Sequence, residues 1–244
     1  MARVRLASMG EQGLVVELGD AIDPAVNARV RWLARAVVER LGAEVLEVVP
    51  TYRSLLLVHD PVRVPRARLA ARVRSLLARM PADAGRDLPG RLVHVPACYG
   101  GAHGPDLDEV ARLHGLSPAA VVERHAAATY VVYMLGFTPG FAYLGGLDEG
   151  LATPRLAAPR PRVEPGAIGI AGTQTGIYPV ASPGGWRIVA RTPLRLFDAA
   201  RPSPFLFAAG DRVRFEPVDA ARFDLLARDA AAGRLAPEIE EGGG

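Results

Sequence analysis

The sequence predicts an α+β chain with two cores. A small ferredoxin-like α+β domain is expected over residues 1–85 and a domain of short strands over 91–218, with a C-terminal helix and tail over 219–244. Three observations carry that expectation. The N-terminal segments switch between period-two and helical spacing in the order strand, strand, helix, strand, strand, helix. A polar link, Pro81–Gly90, then interrupts every apolar pattern. Between Thr129 and Arg191 stand eleven Gly and seven Pro, yet Val131, Val132, Phe137, Phe141, Tyr143, Ile168, Ile170, Ile177 and Tyr178 keep the segment apolar. Linkers that rich in Gly and Pro lack apolar side chains, so this stretch reads as strands joined by tight turns, and function is expected there.

Taken in order, Val4–Ser8 and Leu14–Leu18 read as a hairpin around Gly10 and Gly13. Asp23-Pro24 supplies an N-cap and a first-turn proline. Val26, Val30, Leu33, Val37 and Leu41 then recur every three or four residues, so a helix runs on to Gly42. Glu44–Val49 and Ser54–His59 are the next strands, parted by a turn at Pro50–Arg53. Arg66–Met80 is a second helix, with Leu69, Val73, Leu76 and Leu77 inward and arginines outward. Beyond the link, Arg91–Val95 opens a strand, CYGGAHGPDL is a loop and Leu107–His114 a short helix. Ser117-Pro118 starts another helix over Ala119–Ala127, and strands and turns follow to Val218. Ala220–Arg234, with Phe223, Leu225, Leu226 and Leu235, reads as a helix returning onto a core, and the final EEGGG as frayed.

All 29 basic residues are Arg, and the chain contains no Lys. Codon bias is the plain explanation, but the chemical consequence holds regardless. A P-loop lysine, a Schiff-base lysine and a biotinylated lysine are excluded, so any bound phosphate or carboxylate falls to Arg or backbone N–H groups. The formal charge is only +3, and the arginine run Arg63–Arg79 lacks interleaved aromatics, so no nucleic-acid partner is expected. No apolar run reaches the roughly 18 to 20 residues of a membrane span, and no membrane partner is expected. The N-terminus lacks the apolar stretch and cleavage site of a signal peptide, and Cys98 is alone. A cytoplasmic protein with neither disulfides nor a metal site is expected.

The candidate chemistry clusters late in the chain. His125 ends a helix just before the Gly/Pro-rich segment and reads either as a buried or capping residue or as a general acid/base at a barrel mouth. Arg155, Arg160 and Arg162 lie beside prolines that hold the backbone extended. They read either as a stationary anion clamp or as a solvated strand paired with Asp148, Glu149 or Glu164. Gly166, Gly169, Gly172 and Gly176 are spaced GxxGxxG with no helix following, which is not a dinucleotide fingerprint. Among them Gln174, one of two Gln in the chain, offers a donor and an acceptor to an amide or carboxylate beside Thr175. Trp186 follows a Ser-Pro-Gly-Gly turn and reads as core or pocket wall.

The segments LGFTPGFAYLGGL, TPRLAAPRPRV, PGAIGIAGTQTGIYP, SPGGWRIVARTP and GDRVRF resemble the family of 5-oxoprolinase B subunits. That family is also described as allophanate hydrolase subunit 1 and includes the sporulation kinase inhibitor. VVPTYRSLLLVHD, VPACYGGAHGPDL and ERHAAATYVVYMLGF extend the resemblance over nearly the whole chain, while Glu164 and Ala167 depart from the family's usual turn. The resemblance implies that the second domain is a cyclophilin-like β-barrel. It further implies one component of an ATP-dependent 5-oxoprolinase, inactive alone, that works with a homologous C subunit and an A subunit. ATP, with magnesium accompanying it, is the cofactor expected in that complex, and a small amide the substrate. On this reading His125, Arg155, Arg160 and Arg162 are the catalytic candidates. Phe141, Tyr143, Gln174, Thr175, Tyr178 and Trp186 are the substrate-binding ones, and one groove on the barrel is expected to be lined by His125, Tyr143, Arg155, Arg160, Arg162, Gln174, Tyr178 and Trp186. Two other readings stay open: a histidine-kinase inhibitor docking through Phe137, Phe141 and Trp186, and a carboxyltransferase component acting on urea- or allophanate-like amides.

Overall fold

The structure, a computed structural model, describes residues 4–84 and 90–242. The chain divides into two compact units, Met1–Leu88 and Pro89–Gly244. The expected link Pro81–Gly90 runs through 85–89, which lie outside the described residues.

The first unit contains β1 (Arg5–Met9), β2 (Gly13–Glu17), α1 (Pro24–Leu41), β3 (Glu47–Pro50), β4 (Ser54–Val58) and α2 (Arg66–Leu77). Its sheet has the order β1-β2-β4-β3, with every pair antiparallel. Moving β1 to the end turns ββαββα into βαββαβ, the ferredoxin-like order of elements. Asp23 caps α1 as its residue type predicts, accepting from the backbone N–H groups of Ala25 at 2.8 Å and Val26 at 3.0 Å. Gly42 ends α1 in right-handed conformation and leads into a 3₁₀ turn over Gly42–Glu44, so the helix stops without a left-handed cap. Alternate residues Leu14, Val16 and Leu18 with Leu55 and Leu57 meet Val30, Leu33, Val37, Leu69 and Val73 in one core. Leu77, expected inward, is half-buried at its margin.

The second unit contains β5 (Leu92–Tyr99), α3 (Leu107–Leu113), α4 (Pro118–Ala127), β6 (Thr129–Leu135), β7 (Ala142–Gly145), β8 (Arg160–Val163) and β9 (Ala167–Ala171). There follow β10 (Gln174–Ile177), β11 (Ser182–Gly184), β12 (Arg187–Arg191), β13 (Arg212–Val218), α5 (Ala220–Ala231) and β14 (Glu238–Glu240). Seven strands close in the order β12-β9-β10-β7-β6-β13-β5, returning to β12 through Tyr99 opposite Ala190 and Cys98 opposite Arg191. The β5–β13 pair is parallel, which makes this closed barrel mixed, and the architecture is consistent with a cyclophilin-like barrel. Val93, Val95, Val132, Leu144, Ile168, Ile170, Ile177, Val189 and Phe215 share its core, and Val110 of α3 and Val121 of α4 pack onto it.

The strands β7, β9, β10 and β12 are largely buried on both faces. Ala142, Leu144, Ile168, Ile170 and Ile177 join the barrel core. Their neighbours Phe141, Ala167, Ala171 and Tyr178 belong to a second buried cluster with Val163, Trp186 and Ile188. A strand exposes alternate residues on opposite faces, so this outer face needs its own cover. The two-stranded ribbon of β8 and β11 stands beside it, with Val163 of β8 in the cluster.

Phe223 and Leu226 bury one face of α5, whereas Leu225, expected inward, is turned out and 52% exposed because it sits off that three-residue spacing. The tail is more ordered than its composition predicts. Glu238–Glu240 pairs with Leu92–His94, so Glu240, expected to be frayed, is part of a strand; residues 243–244 lie outside the described residues. His94 is buried between two carboxylates, Glu216 at 2.6 Å from Nδ1 and Glu240 at 2.8 Å from Nε2. Both ring nitrogens therefore face acceptors, and the hydrogen bond to Glu240, more than that to Glu216, raises the His94 pKa. A raised folded pKa means that the pair stabilises the fold fully below pH 6.5, the unfolded value, and loses that contribution as pH climbs through the folded one. Amide-exchange protection of β14 is expected to weaken over that rise, beyond the intrinsic pH dependence of exchange. His94→Gln should abolish the extra dependence. Both carboxylates are well solvated, so the effect on global stability should be small.

Candidate functional site

The outer aromatic cluster opens into a cleft of about 260 Å³ lined by Phe137, Phe141, Tyr143, Arg155, Pro159, Tyr178, Pro183, Gly184, Gly185 and Trp186. Sequence places each wall. Phe141, the residue before β7, and Tyr143 within it share a face because they are two apart in the chain. Their rings meet at 4.6 Å between centroids, and Phe141 contacts Tyr178 edge-on at 4.9 Å and Trp186 at 5.4 Å. Trp186 fits because the strands beneath it carry glycine. A Cβ at Gly169 would stand 2.9 Å from the Trp186 Cβ, and one at Gly176 would stand 3.0 Å from its Cζ3 and 2.8 Å from the Ala142 carbonyl. Gly169 and Gly176 thus make room for the indole, whereas Gly166 lies against the Thr192 carbonyl and Gly172 faces open space. At the rim, Phe137 is the one non-glycine residue with positive φ (68°) among the described residues, with 65% of its surface exposed. Holding a bulky residue in that conformation is a strain that the surrounding loop must impose.

The three arginines do not act together. Only Arg155 lines the cleft, its guanidinium carbon 5.8 Å from the Trp186 ring centroid. Among the described residues it pairs with no carboxylate. Arg160 is withdrawn: its Nη2 donates to the buried Asp106 Oδ1 at 2.6 Å, and its Nη1 reaches the Trp186 carbonyl at 3.5 Å. Arg162 is solvated and donates to Glu164 at 2.6 Å. The expectation of a shared clamp is therefore corrected: Arg160 is drawn to Asp106, 54 positions away in the chain, Arg162 to the nearby Glu164, and Arg155 alone of the three stays at the cleft.

His125 and Thr175 lie away from the cleft, inside the barrel core, and the expected acid/base position at a mouth is corrected. Tyr99 O–H donates to His125 Nδ1 at 2.7 Å, His125 Nε2 meets Thr175 Oγ1 at 3.0 Å, and Thr175 donates to the Gly169 carbonyl at 2.9 Å. That direction fixes the proton on Nε2. Tyr130 O–H closes the network on the His125 carbonyl at 2.7 Å, and the Phe215 ring stacks at 4.8 Å. Complete burial lowers the His125 pKa to about 3, so the ring is neutral. Gln174 and Thr175 are adjacent on β10 and point to opposite faces, so they cannot read one ligand together. Gln174 is buried at the far end of β10 from Tyr178 and does not line the cleft.

Residues 4–207 match the carboxyltransferase domain, subdomain C and D. The chain belongs to that family. The 5-oxoprolinase B subunit of Bacillus subtilis (strain 168) is 38% identical, over 87% of this chain and 92% of that protein. Among solved structures, TTHA0988 is 38% identical with a TM-score of 0.75, and the match covers 86% of this chain but only 40% of that longer one. The K. lactis urea amidolyase has a TM-score of 0.80 at 21% identity, over 98% of this chain and 16% of its own, a likeness of fold.

Two parts of the site are not announced by the sequence. Pro159, Pro183, Gly184 and Gly185 form a cleft wall because β8 pairs with β11, a register no local pattern specifies. Asp106 stands in the sequence only as part of a loop leading into a helix, yet its carboxylate holds Arg160 and the Ile188 N–H, the latter at 2.6 Å. Two outcomes follow from this arrangement. Arg160→Ala strands the Asp106 carboxylate and should lower unfolding free energy by about 1.5–3 kcal/mol, whereas Arg162→Ala should leave the denaturation curve unchanged. His125 is neutral when folded but takes a proton when unfolded below pH 6.5, so stability should fall as pH drops from 6.5 toward about 3. Its share of that slope is about 1.4 kcal/mol per pH unit, and His125→Gln should flatten it in urea melts across the range.

Proposed function

We propose that the chain is the B subunit of a multi-component 5-oxoprolinase, which opens the lactam of 5-oxoproline to glutamate with ATP hydrolysis, together with the A and C subunits. The observation that carries this reading is the similarity to a 5-oxoprolinase B subunit along 92% of that protein's length. The geometry agrees in kind: an aromatic cleft with one cation at its rim suits a small ring amide bearing a negative charge. The opposing requirement is ATP. A triphosphate needs several cations or backbone N–H groups and a magnesium site. The cleft offers one guanidinium, and among the described residues no group of three His, Cys, Asp or Glu is placed to hold a metal ion. These residues do not fit the nucleotide, and we assign it to the other components.

The role left to this chain is to bind and orient. A lactam is a weak electrophile because its nitrogen lone pair is delocalised into the carbonyl, so attack depends on activation that the partners provide. The purified chain should release no phosphate from ATP in response to 5-oxoproline, and activity should appear when the A and C subunits are added. Vigorous 5-oxoproline-dependent ATP hydrolysis by the isolated chain would sink the proposal. So would a reconstituted mixture that turns over equally well without this chain.

A further inference from the structure

The geometry points to the aromatic cleft as a site for a small flat ring amide carrying a carboxylate, with Arg155 holding the carboxylate and the Tyr178 hydroxyl donating to the amide carbonyl. The choice of 5-oxoproline as its probe rests on the function proposed above; the chemical class rests on the cleft itself.

Shape is the first argument. Phe141 stands edge-on to Trp186, at 76° between ring planes, and Tyr143 is tilted against it at 59°. The Arg155 guanidinium lies over the Trp186 ring, which marks that face as a platform for a flat group. About 260 Å³ is at the small end for ligand pockets, which favours one ring over a peptide or a nucleotide.

Charge is the second. No Asp or Glu lines the cleft, and Arg160 and Arg162 are neutralised by Asp106 and Glu164. Arg155 is the one charged residue of the lining, and it shares the cleft wall with Tyr143 and Tyr178. Its backbone is pinned on both sides: Pro154 O accepts from Arg187 Nε at 3.3 Å, and Leu156 N donates to Gly185 O at 2.7 Å. Little further ordering of that segment is required on binding.

Hydrogen bonding is the third. Tyr178 lines the cleft, and its phenol O–H is a donor that a carbonyl placed there can accept from. Burial raises the Tyr178 pKa, so that proton is retained at neutral pH. A Cβ at Gly184 would lie 2.4 Å from the same oxygen, so glycine there keeps the hydroxyl unobstructed by a side chain.

The test uses the intact chain carrying Trp32→Phe, so that Trp186, the other of two tryptophans, reports on the cleft. Its emission is titrated with 5-oxoproline and with 2-pyrrolidinone, the same lactam without the carboxylate, and affinities rather than amplitudes are compared. Saturable binding of 5-oxoproline is expected. Arg155→Gln should weaken it about ten- to a hundred-fold while leaving 2-pyrrolidinone unaffected; Tyr178→Phe should weaken both. Arg155 is exposed, so its variant should melt like the parent. Equal affinity for 5-oxoproline in the Arg155→Gln chain, equally tight binding of 2-pyrrolidinone, or no saturable response overturns the assignment. Turnover by the reconstituted complex is measured separately. Turnover with an unresponsive cleft removes this assignment and leaves the proposed role in the complex, whereas cleft binding without turnover does the reverse.

Discussion

The carboxylate of Asp106 ties together the parts of the second unit that meet at the cleft. It is buried, and it accepts from the Ile188 N–H and the Arg160 guanidinium at 2.6 Å each, while its own N–H donates to the Ile188 carbonyl at 2.9 Å. That exchange takes the place of a neighbouring strand where the register of β12 against β9 shifts between Ile188 and Ala190. The loop can lie this close only because Gly104 has no side chain: a Cβ there would stand 1.9 Å from the Val189 carbonyl. One residue onward, β12 closes the barrel against β5. One residue before Arg187, Trp186 forms the cleft wall. A single desolvated charge therefore couples barrel closure to the cleft, and its cost is offset by two charge-assisted contacts.

How much of this was legible in the sequence depends on the range of the interactions. The hairpin at Gly10, the Asp23 cap and the apolar spacing of α1 are set by contacts within a few residues, and the structure reproduces them. The inward and outward residues of β7 and β9 follow from alternation alone. The pairings that close the barrel join residues about ninety apart in sequence, and a strand's own pattern does not name its neighbour. The tail shows the same limit, because Glu240 is ordered by His94, distant in the chain.

The site residues divide along the same line. Phe141, Tyr143, Tyr178 and Trp186 stand out in the sequence as large aromatics in a Gly-rich stretch, and the structure gathers them at one cleft. His125 misled because a helix-end histidine beside such a stretch looks the same in sequence whether it faces solvent or the core. Its three ring and carbonyl partners, Tyr99, Thr175 and Tyr130, come from three different strands. The arginines misled for a further reason. Proline spacing shows that a side chain is held, but not which carboxylate waits for it. Arg160 found Asp106, 54 positions away, instead of the acidic residues nearby.

The cleft departs from the rule that local preference and global fold agree, and it does so at a few identifiable points. Phe137 holds a backbone angle disfavoured for its type while exposing an aromatic ring at the rim. Arg155 stands over an indole with no carboxylate partner among the described residues. Each has a simple alternative that would favour stability: glycine at 137, or an acidic neighbour beside 155. Neither concerns the Tyr99–His125–Thr175 chain inside the barrel, whose hydroxyls and ring nitrogens are partnered. Local compromise at the edge of one cleft, beside a partnered polar chain in the barrel, is the distribution expected when the cleft is shaped by what it holds rather than by what holds the fold.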